Sequence, residues 1–310
     1  MEEKTQISAE DIEVEGSTDL QYVTLGDLRI RLAQPLELGF RWVGNRRLVD
    51  QLKSCWHTSD AEGDLPMNPR LVGKPGVGKT ALAYSVGKML DLPVYFFQAT
   101  SDTTPNDVLI NPIVVETGKD SSKVEYIASP LITAMIVGGC CVFDEGNRMQ
   151  EKAWAALAPL LDSRRYVESA TVGCIIKAHK DFRYVCTMND DASCFELPEY
   201  IKSRLQPMLT VDNPERAEER RILEGNLPHV SPVVLDYVAD FLHLAHQADE
   251  RFTVREGIHI ANYAHKIMSF EEQCGREMEA GDAVVLAVEQ ILGVRNARYI
   301  KQVRWQEEAA

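Results

Sequence analysis

The chain has 310 residues, 45% hydrophobic and 26% charged, enough for two domains and a sizeable core. Its formal net charge of −14 argues against a broad nucleic-acid footprint, although a local basic strip inside a ring stays compatible with it. Seven cysteines with no C-x-x-C pair, behind an acidic start with no signal-peptide pattern, point to reduced thiols and a cytoplasmic location.

Residues 1–20 carry seven acids (Glu2, Glu3, Glu10, Asp11, Glu13, Glu15, Asp19) against one base, Lys4. This composition reads as a solvated acidic arm in which Ile7, Ile12 and Val14 dock weakly at most; partner binding is the alternative. Residues 21–38 alternate loosely and predict a short strand or hairpin packed on the main domain. Phe40 to Asn45 lead into a helix from about Arg46 to Trp56, with Leu48, Leu52 and Cys55 on one face. Ser59 to Asn68 form a polar loop.

Gly73-Lys74-Pro75-Gly76-Val77-Gly78-Lys79-Thr80 reads G-x-x-x-x-G-K-T, a phosphate-binding loop. Leu71-Val72 supply the preceding strand, and a helical stretch from Ala81 follows. The glycines let backbone N–H groups face phosphates, and the helix turns its positive end toward them. Lys79 is placed to reach the β- and γ-phosphates and the Thr80 hydroxyl to bind Mg²⁺. Pro93 to Phe97 is a buried strand, and Thr103-Thr104-Pro105 starts a short helix. Residues 112–128 look like an inserted hairpin around the turn Thr117 to Lys123. Ser129-Pro130 opens a helix to about Val137. The mostly apolar run Leu131 to Phe143 contains two Gly and is shorter than the roughly 20 residues of a membrane span. The seven His have no zinc-site spacing.

Gly138 to Phe143 is a buried strand ending in Asp144-Glu145. After a phosphate loop, the first acid holds Mg²⁺ and the second polarises the attacking water. Lys152 to Leu161 reads as a helix. A second hairpin joins Arg164–Glu168 to Cys174–Lys177 around Ser169 to Gly173. Phe182 to Thr187 is a core strand leading to Met188-Asn189, and Asn189 at that tip can orient the attacking water. Leu197 to Leu205 is a short helix with an exposed Arg204, and Leu209 to Val211 the last strand. Four helices follow, at about 214–225, 231–248, 254–272 and 281–293, with a tail from Arg295 to Gln306. The change from alternating β/α to all-α marks a boundary near 212.

By these marks the chain resembles the AAA+ ATPases, and within them the MoxR-like, dynein-related group. The resemblance covers roughly residues 40–295. It rests on Gly73 to Thr80, on Asp144-Glu145-Gly146-Asn147-Arg148, and on Ala178 to Asn189. Leu197-Pro198-Glu199 with Ser203-Arg204, and Thr253-Val254-Arg255, complete it. The hairpins at 112–128 and 165–181 match insertions of this group. Two departures are Gly146, where an apolar residue is usual, and Asp190-Asp191 in place of the usual Pro.

The resemblance implies an α/β core with a five-stranded parallel sheet over residues 39–212 and an all-α lid over 213–310; the acidic N-terminal arm and short strand region over 1–38, read from composition, has no counterpart in it. It implies ATP and Mg²⁺ bound by Gly73, Pro75, Gly76, Val77, Gly78, Lys79, Thr80, Ala81 and Asp144, with Thr80 and Asp144 on the metal. Catalysis falls to Glu145, Lys79, Asn189 as sensor 1, and Arg204 as an arginine acting on nucleotide held by a neighbouring copy. Arg255 corresponds to sensor 2. Arg148, Arg164 and Arg165 are rival trans arginines. The function implied is ATP hydrolysis in a ring, most simply a hexamer, that remodels a partner protein in chaperone fashion, with a von Willebrand factor A domain protein among the partners the resemblance suggests. The alternative is a nucleic-acid motor of a restriction or defence complex.

Overall fold

The computed structural model describes residues 6–308, apart from 18–19, 26, 40–41, 60, 62, 119–120 and 191–194. Glu2, Glu3, Lys4, Asp19, Phe40 and Asp191 therefore lie outside the described residues. The chain divides into two units, one of Met1–Arg41, Arg47–Gly73 and Lys79–Thr210, the other of Trp42–Arg46, Lys74–Gly78 and Val211–Ala310.

The first unit opens with β1 (Gln6–Ser8), β2 (Val14–Ser17), β3 (Leu20–Leu25) and β4 (Leu28–Arg31). Then come α1 (Arg46–Trp56), β5 (Arg70–Gly73), α2 (Lys79–Met89), β6 (Val94–Gln98) and α3 (Pro105–Val108). The hairpin β7 (Ile110–Gly118) and β8 (Ser121–Ala128) follows, then α4 (Pro130–Val137), β9 (Cys140–Asp144) and α5 (Glu151–Leu157). The unit closes with β10 (Tyr166–Ser169), β11 (Cys174–Lys177), β12 (Arg183–Asn189), α6 (Glu199–Lys202) and β13 (Met208–Thr210).

Its central sheet is the five-stranded parallel one expected from the sequence, in the order β13-β5-β12-β9-β6. Strands β9 and β12 occupy the middle, which is why they read as unbroken apolar runs: Cys140 to Phe143 and Tyr184 to Cys186 are buried on both faces. Phe143 stacks on Phe97 at 4.8 Å and packs against Trp154 and Tyr184. The α4 helix begins sharply because Ser129 accepts the Ile132 N–H at 3.1 Å and Pro130 sits in its first turn.

Two smaller sheets change the reading of the N-terminal arm. Strands β2, β3 and β4 form an antiparallel meander, and β4 joins β8 in parallel through Ile30↔Tyr126. β1 adds to β11 in parallel, with Ile7 opposite the buried Ile176. The expected solvated arm is thus, over its described residues, a set of short strands. The cause is the pair of inserted hairpins, whose edges leave rows of backbone N–H and C=O groups in want of partners.

The second unit contains α7 (Arg216–Asn226), α8 (Pro232–Gln247), α9 (Val254–Gln273), α10 (Ala280–Leu292) and α11 (Ala297–Glu308). Their shared core includes Leu223, Phe241, Ile260, Val284 and Ile300. The phosphate-loop residues Lys74–Gly78 group with these helices.

Candidate active site

Parallel strands all end at the same edge of a sheet, and in open α/β sheets ligands bind outside those carboxyl ends. Here register brings three polar side chains and a glycine to that edge. Gln98 of β6 lies opposite Asp144 of β9, and Asn189 of β12 lies opposite Gly73 of β5. The α2 helix begins at Lys79, beyond the β5 tip.

Lys79 is buried, and its ammonium donates to the Gly73 carbonyl and to Asn189 Oδ1, both at 2.9 Å. Asn189 Nδ2 donates to Glu145 Oε1 at 3.0 Å. Glu145 Oε2 accepts from Gln98 Nε2 at 2.9 Å and pairs with Arg148 Nε at 2.8 Å. The Thr80 hydroxyl donates to Asp144 Oδ1 at 3.1 Å. Thr187, buried between the two acids, donates to Asp144 Oδ1 and accepts the Glu145 N–H at 3.2 Å. Asn147 Nδ2 donates to the Asn189 carbonyl at 2.8 Å. Lys79, Thr80, Asp144, Glu145 and Asn189 therefore form one hydrogen-bonded set. Glu145 has a φ of 54°. A glutamate in the left-handed region is uncommon, and here it coincides with a carboxylate turned onto Asn189, Gln98 and Arg148.

Within the second unit, Gly76 has a φ of +86°, and a Cβ there would come within 2.3 Å of Thr253 Oγ1 and 3.4 Å of the Arg255 Cβ. Only glycine fits that position. Thr253 caps α9 through Glu256, whose Oε2 accepts the Thr253 N–H at 2.8 Å. Gly78, with φ +95°, packs 3.0 Å from the Trp42 ring. Pro75 and Val77 complete the loop, Val77 buried, and Ala81 follows in the first turn of α2.

The four candidate trans arginines separate. Arg148 sits on Glu145 of its own chain. Arg165 is buried and donates to the Phe182 carbonyl at 3.0 Å; burial pulls its pKa down to about 10. Arg164 and Arg204 meet on one carboxylate, Asp162.

Three residues of this picture carry no role in the sequence reading. Gln98 follows an apolar strand, but its reach to Glu145 depends on the β6–β9 register. Thr187 hides inside a strand. Asp162 lies in a turn 42 positions from Arg204. Of the three, only Gln98, a polar residue at a strand end, gave a local signal.

The oxygen donors of Thr80 and Asp144 suit Mg²⁺, a hard cation that takes one or two carboxylates and fills its remaining positions with phosphate oxygens and water. Among the described residues, no group of three or more His, Cys, Asp or Glu could hold a metal alone. The residues present fit an ion shared with a bound nucleotide.

A phosphate loop after β5, two acids at the β9 tip and a polar β12 tip are features that nucleoside triphosphatase domains of the AAA+ class combine. Residues 70–205 match the family model described as an AAA domain of the dynein-related subfamily. It is 28% identical over 158 residues to the denitrification regulatory protein NirQ of Pseudomonas aeruginosa, covering 50% of this chain and 58% of that one. It is 26% identical over 119 residues to protein CbbQ of Hydrogenophilus thermoluteolus, covering 38% and 43%. It is 25% identical over 219 residues to the gas vesicle ATPase GvpN of Haloferax mediterranei, covering 62% and 59%. The matches thus span less than two thirds of each relative. Among solved structures, the Thermotoga maritima RuvB Holliday junction branch migration motor superposes with a TM-score of 0.51 at 13% identity, over 80% of this chain and 69% of that one. Domain III of the Thermotoga maritima replication initiation protein DnaA gives 0.50 at 16% identity, over 83% and 99%. At such identities these two likenesses concern fold alone.

Proposed function

We propose that this chain is a cytoplasmic ATPase that hydrolyses ATP within a ring of identical copies, most simply a hexamer, and uses the cycle to remodel a partner protein. The observation that carries the reading is the continuous hydrogen-bonded set from Lys79 through Asn189 to Glu145, beside Thr80 and Asp144. In this role Glu145 takes the proton of the attacking water, and Asn189 holds both that carboxylate and Lys79 in register. Lys79 and a neighbour's Arg204 offset charge on the transferred phosphoryl group. Mg²⁺, held through Thr80 and Asp144, supplies further charge neutralisation when bound. Arg255, beside Gly76, serves as the lid's contact with the phosphates.

The regulatory and ATPase names of the curated relatives support a remodelling role. A partner carrying a von Willebrand factor A domain fits the same reading. Among the described residues no helix is long and apolar enough to cross a membrane. The test is turnover measured against protein concentration. A site completed by a neighbour gives specific activity that rises with concentration and then levels off as rings fill. Specific activity independent of concentration in a monomeric sample contradicts the shared site, and strong stimulation by DNA or RNA contradicts the protein-remodelling role.

A further inference from the structure

Arg164 and Arg204 come from separate segments, yet both end on Asp162. The carboxylate sits in a turn closed by the Arg165 N–H on the Asp162 carbonyl at 3.1 Å. Its Oδ1 accepts the Arg164 backbone N–H and Nε, each at 3.0 Å, and its Oδ2 accepts Arg164 Nη2 at 2.8 Å and Arg204 Nε at 3.2 Å. A carboxylate offers about four lone-pair sites, so these donors fill it. Arg204 Nη1 donates to the Tyr200 carbonyl at 2.6 Å, and no hydrogen bond among the described residues engages its Nη2. Two guanidinium groups against one carboxylate leave an excess of positive charge, on side chains that reach solvent: Arg164 is 52% and Arg204 27% exposed. The bonds from Arg164, and less strongly from Arg204, hold the carboxyl down to about 2, so it stays charged across the working range.

We propose that Asp162 is a positioning residue that holds Arg164 and Arg204 as one two-arginine unit for the phosphates of nucleotide bound by a neighbouring copy. This rests on the trans-arginine reading above. Without the carboxylate the two like charges repel and splay, and long side chains lose the shared geometry that a developing phosphoryl charge requires. A partly exposed ion pair is weak, so phosphoryl oxygens can take over guanidinium edges without a large penalty. The pairing also separates these two from Arg148 and Arg165, whose guanidinium groups are engaged elsewhere.

The test uses mixed assemblies of full-length chains. Asp162→Asn keeps the shape and removes the charge. We expect turnover to fall about 10- to 100-fold with the KM for ATP nearly unchanged, the pattern of an interaction made in the transition state. Assembly and affinity for a non-hydrolysable ATP analogue should be retained. Adding Lys79→Ala chains, dead in their own site but intact in the arginine unit, should restore turnover in Asp162→Asn sites. Arg204→Ala mixed with Lys79→Ala is the parallel control. If that control recovers while Asp162→Asn runs at the wild-type rate, or is slow and not recovered, the role of Asp162 is overturned and the trans reading survives. If Arg204→Ala itself never recovers with assembly intact, the trans reading fails. Should Asp162→Asn not fold, Arg164→Ala decides: a drop of about tenfold or more, recovered in trans, supports the pair, and wild-type turnover overturns it.

Discussion

Thr187 Oγ faces two ways, donating to the Asp144 carboxylate while accepting the Glu145 N–H. It thereby fixes both acids from a neighbouring strand with a single atom. Replacing it with valine preserves shape and leaves the half-buried Glu145 N–H unpaired, a loss of about 1 kcal/mol. Urea unfolding of Thr187→Val should show that loss, and the Mg²⁺ concentration for half-maximal turnover should rise; Thr187→Ser should restore both. Gly76 is the other position where one atom decides. Gly76→Ala places a Cβ against Thr253 Oγ1 in a backbone conformation that disfavours side chains. ATP binding, measured by titration calorimetry, should fall at least tenfold with the helical unit's fold retained. At this scale the sequence shows the groups and hides their partners. Lys79, Asp144 and Glu145 are legible because a motif fixes their neighbours along the chain. Gln98 and Thr187 act across strands, through a register that no local pattern encodes.

Strands β1 and β2 show what an element contributes beyond its own few contacts. Each is short and acidic in its surroundings, so composition alone assigns them to solvent. They are ordered because β11 and the β2–β4 meander offer edges to pair with. Removing residues 1–17 exposes the edge of β11 and of β3. The truncated protein should retain ATP binding, and light scattering should show faster aggregation than the full chain, because an unprotected edge templates pairing between molecules. The inserted hairpins themselves were legible, since β-rich runs flank glycine- or polar-rich turns; what pairs with them was not.

At the scale of the whole molecule, the parallel core and the helical run after it follow from the shift between alternating and all-helical patterning. The behaviour of one buried group does not. Glu219 of α7 is fully buried, its carboxylate 3.3 Å from His246 Nδ1, and burial pushes its pKa up to about 8 from 4.5. Burial likewise lowers the pKa of His246, whose Nε2 meets the Phe252 carbonyl at 2.6 Å. Both shifts favour the neutral form of each group. Above pH 4.5 the unfolded chain releases a proton that the folded one keeps until about pH 8, so Glu219 makes stability fall across that window and level off beyond it. Glu219→Gln should flatten that decline in thermal unfolding measured from pH 5 to 9. An unchanged slope would show that Glu219 is not the group responsible.

Glu145 is the residue on which hydrolysis at this site depends in the proposed mechanism. Glu145→Gln keeps the size of the side chain and its contacts with Gln98 and Asn189 within reach, while removing the charge that would take a proton from water. Turnover and ATP occupancy should be measured on the same purified sample. ATP should be bound at close to one per chain and retained through washing, with hydrolysis reduced by at least about 100-fold. Hydrolysis at the wild-type rate with ATP still bound would contradict the assignment of this site.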